Sequence, residues 1–253
     1  MVAALERMRV WTAADLLAMP DDPDHRYELV EGRMVRMSPP GGTHGLRSMG
    51  LGANLAAHAE QHDLGVVLGA ETGFNLTRPG ERRETVLAPD AAFVRAEHAH
   101  LTETDDFPRV APDLATEVAS PSDSRKRMAE KARRYLDRDV RLVWVIWPRR
   151  RDVDVWRAGD TAPRILTAAD TLDGGTVVPG FAISVALVCP ERPRRGRRGS
   201  RLRSRSRRKG ARAGDTGRRC SPGARRTGRP RGSPATPGNA RPLAAPTPAL
   251  PER

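Results

Sequence analysis

The sequence predicts an α/β (α+β) protein in which helices flank a mixed β-sheet. Three observations lead to this prediction. A proline-free segment rich in Ala and Leu is followed by three strand-like runs. An amphipathic segment at helical spacing and a strongly apolar run come next, which completes an αβββαβ core. An alternating segment in front of this core adds an N-terminal hairpin.

The first third of the chain is predicted to contain two helices with a hairpin between them. The segment WTAADLLAM (11–19) reads as a short helix with Thr12 as its N-cap. Alternation in RYELVEGRMVRM (26–37) predicts two strands joined at Glu31-Gly32. After the loop SPPGG, the proline-free residues 44–62 predict a long helix in spite of two internal glycines.

The rest of the domain is predicted to supply the sheet and one more helix. Residues 124–138 are helical because Met128, Ala132 and Tyr135 recur on one face. The run RLVWVIW is apolar throughout, which is typical of a strand buried on both faces. The remaining predictions are strands at 65–76, 86–94, 113–119 and 141–147, an edge strand at 152–156 and a closing segment at 177–188.

The charge is distributed unevenly, which predicts a domain at residues 8–190 followed by a tail at 191–253. The tail holds 20 of the 44 Lys and Arg residues but only three of the 31 acidic residues. It has too few apolar residues to bury a core, so we expect it to be disordered. A basic arm that binds nucleic acid by releasing counterions and an extension without function both fit this composition.

Several protein classes do not fit the sequence. The two cysteines, Cys189 and Cys220, are too few for a disulfide framework or a cysteine-rich metal centre. No apolar run approaches the length of a membrane span. The N-terminus lacks the apolar core of a signal peptide. We therefore expect a cytoplasmic protein with no membrane partner.

Two acidic residues stand inside apolar strand-like runs. Asp90 lies in VLAPDAAFV, and Glu117 lies in a run that ends at Ala119. By the two-residue period of a strand, Glu117 shares a face with Ala115 and Ala119. Two carboxylates packed closely on neighbouring strands repel each other. A divalent cation removes this repulsion, and Mg²⁺ takes one or two carboxylates while leaving room for substrate phosphates.

The helix at 124–138 offers two lysines, and helical geometry selects one of them. At about 100° per residue, Lys131 lies on the rim of the buried face that carries Met128 and Tyr135. Lys126 points nearly the opposite way. Lys131 is therefore the lysine that can reach the sheet, where its charge could position a water or stabilise a phosphate in the transition state.

Five short motifs occur in an order that resembles the Uma-type putative restriction endonuclease family. They are RYELVEG, MSPPGGTH, APDAAFV, PDLATEVASPSDS, and KARRY followed by VWVIWP. That family is a branch of the PD-(D/E)XK nuclease superfamily, and the similarity covers about residues 8–190. The resemblance implies a restriction-endonuclease-like fold and Mg²⁺-dependent cleavage of phosphodiester bonds.

The resemblance also implies a site. Asp90 matches the aspartate of the PD pair and Glu117 the acidic residue of the next strand. With the carbonyl of Val118, they would hold Mg²⁺, or Mn²⁺ in its place. The superfamily lysine would stand at position 119, where this chain has Ala119. Lys131 would have to replace it from the helix.

Three further residues match family positions with supporting roles. Tyr135 completes a K-x-x-x-Y pattern on the helix. Glu28 would bind the metal from the edge. His44 would contact phosphate or act as an accessory acid or base.

A purely structural explanation is open for each of these residues. Asp90 could be a turn residue after a proline, and Glu117 could pair with an Arg or Lys. Lys131 could be a solvated lysine at a rim. Glu28 could be an exposed hairpin residue and His44 an inert histidine near a helix start.

The sequence thus predicts a Mg²⁺-dependent endonuclease that hydrolyses DNA. The alternative is a catalytically inactive module that binds nucleic acid or a protein partner on a nuclease scaffold. Ala119 favours the alternative, whereas the joint presence of Asp90, Glu117 and Lys131 favours the enzyme. The sequence is compatible with a homodimer.

The tail should be dispensable for folding, because it carries charge but no core. Removal of residues 191–253 should leave the thermal unfolding midpoint nearly unchanged. If the tail binds DNA, its removal should also flatten the dependence of DNA affinity on salt concentration. A large drop in the midpoint would show instead that the tail packs on the domain.

Overall fold

The computed structural model describes residues 9–70 and 72–191, so the predicted tail lies outside it from residue 192 onward. The helices are α1 (Ala13–Leu17), α2 (Gly42–Gln61), α3 (Ala96–Ala99), α4 (Arg125–Leu136) and α5 (Val185–Val188), with a 3₁₀-helix at His100–Thr102. The strands are β1 (Arg26–Val30), β2 (Arg33–Met37), β3 (Gly65–Gly69), β4 (Phe74–Asn75), β5 (Val86–Leu87), β6 (Ala91–Arg95), β7 (Leu114–Val118), β8 (Leu142–Trp147), β9 (Asp152–Arg157), β10 (Arg164–Thr167), β11 (Thr171–Asp173) and β12 (Ala182–Ser184).

A six-stranded mixed sheet with the order β10-β9-β8-β7-β6-β3 carries the core. The β7–β8 pair is parallel, with Leu114 opposite Leu142, and the other pairs of this sheet are antiparallel. A parallel pair needs a crossover connection, and α4 supplies it. Smaller antiparallel sheets, β2-β1-β5-β4 and β11-β12, stand beside the main one. The predicted fold class and αβββαβ order are confirmed.

The pleat of β7 divides its side chains between two apolar clusters. Leu114 and Val118 pack in the cluster that contains residues of α2. Ala115 and Ala119 pack in the cluster that contains residues of α4. Glu117 stands between Ala115 and Ala119 on the same face of the strand, so it also faces α4.

Helix α4 forms where the sequence predicts it. Ser124 is the N-cap, and its side chain accepts a hydrogen bond from the Arg127 N–H. Met128, Ala132 and Tyr135 are its buried residues, as their spacing predicts.

The β1–β2 hairpin turns at Glu31 and Gly32, as predicted. Both residues have positive φ angles, 50° and 72°, which a tight two-residue hairpin turn requires. A Cβ at Gly32 would lie 2.7 Å from Cγ1 of Val10, so glycine is also required for space. This hairpin carries Glu28.

Two segments that were predicted as single strands are interrupted. Residues 65–76 split into β3 and β4, which belong to different sheets. Residues 86–94 split into β5 and β6 at Pro89, which has no N–H to donate to a ladder. Asp90 therefore stands just before β6, where its N–H donates to the Thr116 carbonyl at 2.9 Å. The prediction that Asp90 lies inside a continuous strand is wrong.

The prediction of an edge strand at 152–156 is also wrong. Strand β9 pairs with β8 on one side and with β10 on the other. The edge strand is β10, whose four residues RILT are too few to show an alternating pattern. Within residues 9–70 and 72–191, no helix combines the length and the apolarity that crossing a membrane requires.

Candidate active site

Five side chains that the sequence singles out line one cavity of about 790 Å³. They are Glu28 of β1, His44 of α2, Asp90 before β6, Glu117 of β7 and Lys131 of α4. Val118 lines the same cavity, and Tyr135 contacts Glu117. The fold therefore brings together every site residue that the sequence predicts.

Asp90 and Glu117 are neighbours across the β6–β7 pair. The antiparallel register sets Ala91 opposite Thr116, and the N–H of Asp90, one residue before Ala91, donates to the Thr116 carbonyl at 2.9 Å. Asp90 therefore lies beside the segment of β7 that carries Glu117. The Val118 N–H donates to Oδ2 of Asp90 at 2.7 Å, which ties the aspartate to the strand that carries Glu117.

Glu117 is buried, with 5% of its surface exposed, and its partners come from α4. Nζ of Lys131 lies 2.8 Å from its Oε1, and the Tyr135 hydroxyl donates to the same oxygen at 2.7 Å. These two residues are four positions apart on one helix, which is the spacing of neighbours on one face. Both a structural ion pair and a catalytic lysine fit this contact.

The sequence analysis considered two other places for the lysine of this site, Lys126 and position 119, and neither supplies a cation to it. Lys126 is exposed on α4 and is absent from the cavity lining. Ala119, at the usual lysine position, is 8% exposed and packs against α4 in an apolar cluster. Lys131 is the lysine within reach of Glu117 among the described residues.

Glu28 belongs to the same polar cluster and is not an exposed hairpin residue. It is 4% exposed. Its Oε1 lies 3.0 Å from Nζ of Lys131 and accepts a hydrogen bond from the Ala88 N–H at 3.0 Å. One lysine thus bridges β1 and β7.

His44 contacts Asp90 from the first turn of α2. Its Nε2 lies 3.1 Å from Oδ2 of Asp90. The Ser48 hydroxyl, one turn further along α2, donates to the Asp90 carbonyl at 2.9 Å. Helix α2 therefore fixes both ends of the aspartate.

Burial and the nearby charged side chains shift the pKa values of three members of the cluster. Burial raises the pKa of Glu117 from its usual 4.5 to about 8; Lys131 opposes the rise, and the charges of Asp90 and Glu28 add to it. Burial alone would lower the pKa of Lys131, but Glu117 and Glu28 hold it above its usual value. Burial and then Glu117 raise the pKa of Tyr135, so it stays a hydrogen-bond donor.

The donor atoms fit a magnesium-type ion held by few protein ligands. The contacts within the described residues engage Oδ2 of Asp90 and Oε1 of Glu117, and leave Oδ1 and Oε2 without one. In residues 9–70 and 72–191, no three His, Cys, Asp or Glu side chains form a cage for a metal. Two carboxylates and a backbone carbonyl suffice for Mg²⁺, which keeps several waters and binds substrate phosphates.

Four arginines that line the cavity were missed by the sequence reasoning. Arg26 and Arg36 belong to the β1–β2 hairpin, and Arg127 and Arg134 of α4 stand on either side of Lys131. The spacing of Arg127 and Arg134 from the lysine, four residues before it and three after it, is the signal that could have found those two.

Comparison with known proteins identifies a family and a similar solved structure. The model of the Uma2 family, described as "Putative restriction endonuclease", matches residues 13–186. The crystal structure of a putative nuclease belonging to DUF820 from Anabaena variabilis ATCC 29413 is similar, with a TM-score of 0.59 and 16% sequence identity. The similarity covers 70% of this chain and 96% of that chain. At this identity, it shows that the two proteins share a fold. No curated protein matches the chain.

The raised pKa of Glu117 predicts a specific loss of stability with pH. The folded pKa of about 8 lies above the ordinary 4.5, so this residue's contribution is fully present below about pH 4.5 and is lost as pH rises through 8. In EDTA, wild type should therefore lose free energy of unfolding relative to Glu117→Gln between pH 5 and 8, by up to about 1.4 kcal/mol per pH unit. Urea denaturation at several pH values measures it, and parallel curves for the two proteins would contradict it.

Proposed function

The chain belongs to the Uma2 putative restriction endonuclease family, and we propose that it is a nuclease that hydrolyses DNA internally with the help of Mg²⁺. The observation that carries the proposal is the contact set around Glu117. Asp90 is tied to the strand of Glu117 by the 2.7 Å bond from Val118, and Lys131 lies 2.8 Å from Glu117. Two acids and one lysine are the functional groups of the PD-(D/E)XK pattern that the sequence resembles.

We assign the metal to Asp90, Glu117 and the carbonyl of Val118, with Mg²⁺ as the natural ion and Mn²⁺ as a substitute. When bound, such an ion lowers the pKa of a water and offsets negative charge on the phosphate. The acidic cluster favours a divalent cation, because Glu28 and Glu117 share Lys131 as their ion-pair partner and Asp90 adds a third carboxylate to the same cavity.

Lys131 has two tasks in this proposal. Its ion pairs with Glu28 and Glu117 keep both carboxylates in fixed orientations. Its ammonium also lines the cavity, where it stabilises the charge that develops on the phosphate in the transition state. The sequence has only three lysines and a large excess of arginines, and one of the three stands at this position, where it supplies a compact ammonium group.

Tyr135 and His44 act as positioning residues. The Tyr135 hydroxyl donates to Oε1 of Glu117 at 2.7 Å and so holds that oxygen in place. Nε2 of His44 lies 3.1 Å from Oδ2 of Asp90, which is also held by the Val118 N–H. Neither carboxylate can then rotate freely, because hydrogen bonds and ion pairs of this kind hold metal ligands in one orientation.

A non-catalytic DNA-binding module is the second candidate, and the buried apolar Ala119 favours it. With no lysine on β7, catalysis depends on Lys131 alone among the described residues. DNA binding without any Mg²⁺-dependent cleavage would support this candidate.

Full-length protein with Mg²⁺ should nick supercoiled plasmid DNA, and Asp90→Asn should abolish nicking. The substitution removes one of the two carboxylates that hold the metal but keeps the size of the side chain. Gel electrophoresis of the plasmid over time measures it, with EDTA as the metal-free control. An Asp90→Asn protein that nicks at the wild-type rate would refute the assigned site.

Lys131→Ala should lower the rate of nicking by roughly 10²- to 10³-fold while Mg²⁺ still binds, because one preorganised charge is lost. Lys126→Ala is the matched control and should leave the rate unchanged, since Lys126 is exposed outside the cavity. Single-turnover kinetics and Mg²⁺ titration calorimetry measure the two effects. Thermal unfolding must accompany them, because removing one partner of a buried pair destabilises a protein. Wild-type kinetics in a folded Lys131→Ala protein would show that this lysine is not catalytic.

A further inference from the structure

We infer that α4 carries a phosphate-binding stripe, defined as Arg127, Lys131 and Arg134, along which the DNA strand lies. The inference rests on the proposed function. It adds the residues that bind the phosphates on either side of the cleaved phosphate. The line of these residues also gives the path of the DNA strand over the cavity.

The three residues form one line on the helix surface. Their spacing of i, i+4 and i+7 keeps them within about 60° of one another at about 100° per residue. All three line the cavity. Arg127 and Arg134 are about 10 Å apart along the axis, at 1.5 Å per residue. Phosphates of one DNA strand advance about 3.4 Å per nucleotide along the duplex, so the stripe extends over about three nucleotides.

The two arginines are exposed and have guanidinium donors available for a ligand. The Arg127 side chain is 61% exposed, and its ion pair with Asp123 is 3.7 Å long. Arg134 is exposed and forms no ion pair or side-chain hydrogen bond within the described residues. Elsewhere in this region, Arg125 and Arg138 bind acidic partners closely. The stripe therefore keeps free donors where they face the cavity.

A phosphate fits this arrangement. The guanidinium group can bind phosphate oxygens through two parallel hydrogen bonds. The central ammonium of Lys131 is already positioned beside the assigned metal ligands. Glu130 also lines the cavity, about 40° around the helix from Arg134, but no ion pair joins these two residues in the described part of the chain. Contacts of this kind set the register of the strand and read no base sequence.

Arg133 provides a matched control on the next position of the same helix. Its guanidinium donates to the Thr161 carbonyl at 3.2 Å and lies 5.0 Å from the Trp156 ring centroid. It is absent from the cavity lining. Arg133 and Arg134 thus carry the same charge in adjacent positions but face different surroundings.

The test is binding of the full-length protein to a fluorescein-labelled DNA duplex in EDTA, measured by anisotropy over a range of NaCl concentrations. Arg134→Gln should weaken binding about tenfold at low salt, the loss expected for one charge-assisted hydrogen bond. It should also reduce the slope of log K against log[NaCl] by about 1, and the double variant with Arg127→Gln by about 2. Arg133→Gln should change neither quantity.

Two outcomes would overturn the stripe. Equal losses in the Arg133 and Arg134 variants would show a general effect of charge, and unchanged binding in the Arg134 variant would show no contact. This assay needs no cleavage, so it is independent of the nuclease activity. Wild-type protein that binds DNA through Arg134 but never cleaves it would refute the proposed endonuclease and support the stripe. If the protein does cleave, the loss in Arg134→Gln should appear in KM.

Discussion

The buried contact between Lys131 and Glu117 is the interaction on which the rest of the site depends. An unpaired carboxylate in the middle of an apolar sheet would cost several kcal/mol. The lysine at 2.8 Å and the Tyr135 hydroxyl at 2.7 Å provide its partners. The same lysine reaches Glu28 at 3.0 Å. One ammonium group therefore holds β1, β7 and α4 around a single cavity.

Two features of the backbone place the acids beside this lysine. The β7–β8 pair is parallel, so the chain must cross over between them, and the crossover is α4 with its lysine. The break at Pro89 ends β5 and lets Asp90 turn toward β7, where the Val118 N–H holds it. The result is a cavity lined by three carboxylates, two of which share Lys131, and this excess of acidic groups is the basis for proposing a divalent cation at the site.

The sequence predicted the parts of the site that depend on local periodicity. The strand period placed Glu117 on the face of Ala115 and Ala119, and the helical period chose Lys131 over Lys126. It did not predict the break at Asp90 or the interior position of β9, because both depend on pairing with distant strands. The burial of Glu28 has the same origin: the hairpin looks exposed until α4 covers it from about 100 residues away in the sequence.

The central claim is that one divalent cation binds between Asp90 and Glu117. Anomalous diffraction from crystals soaked in Mn²⁺ tests it most directly, because manganese replaces magnesium at oxygen sites and can be located by its own scattering. The account predicts an anomalous peak within coordination distance of Oδ1 of Asp90 and Oε2 of Glu117, and its loss in Asp90→Asn crystals. Manganese bound elsewhere, with this position empty in a protein that cleaves DNA, would contradict it.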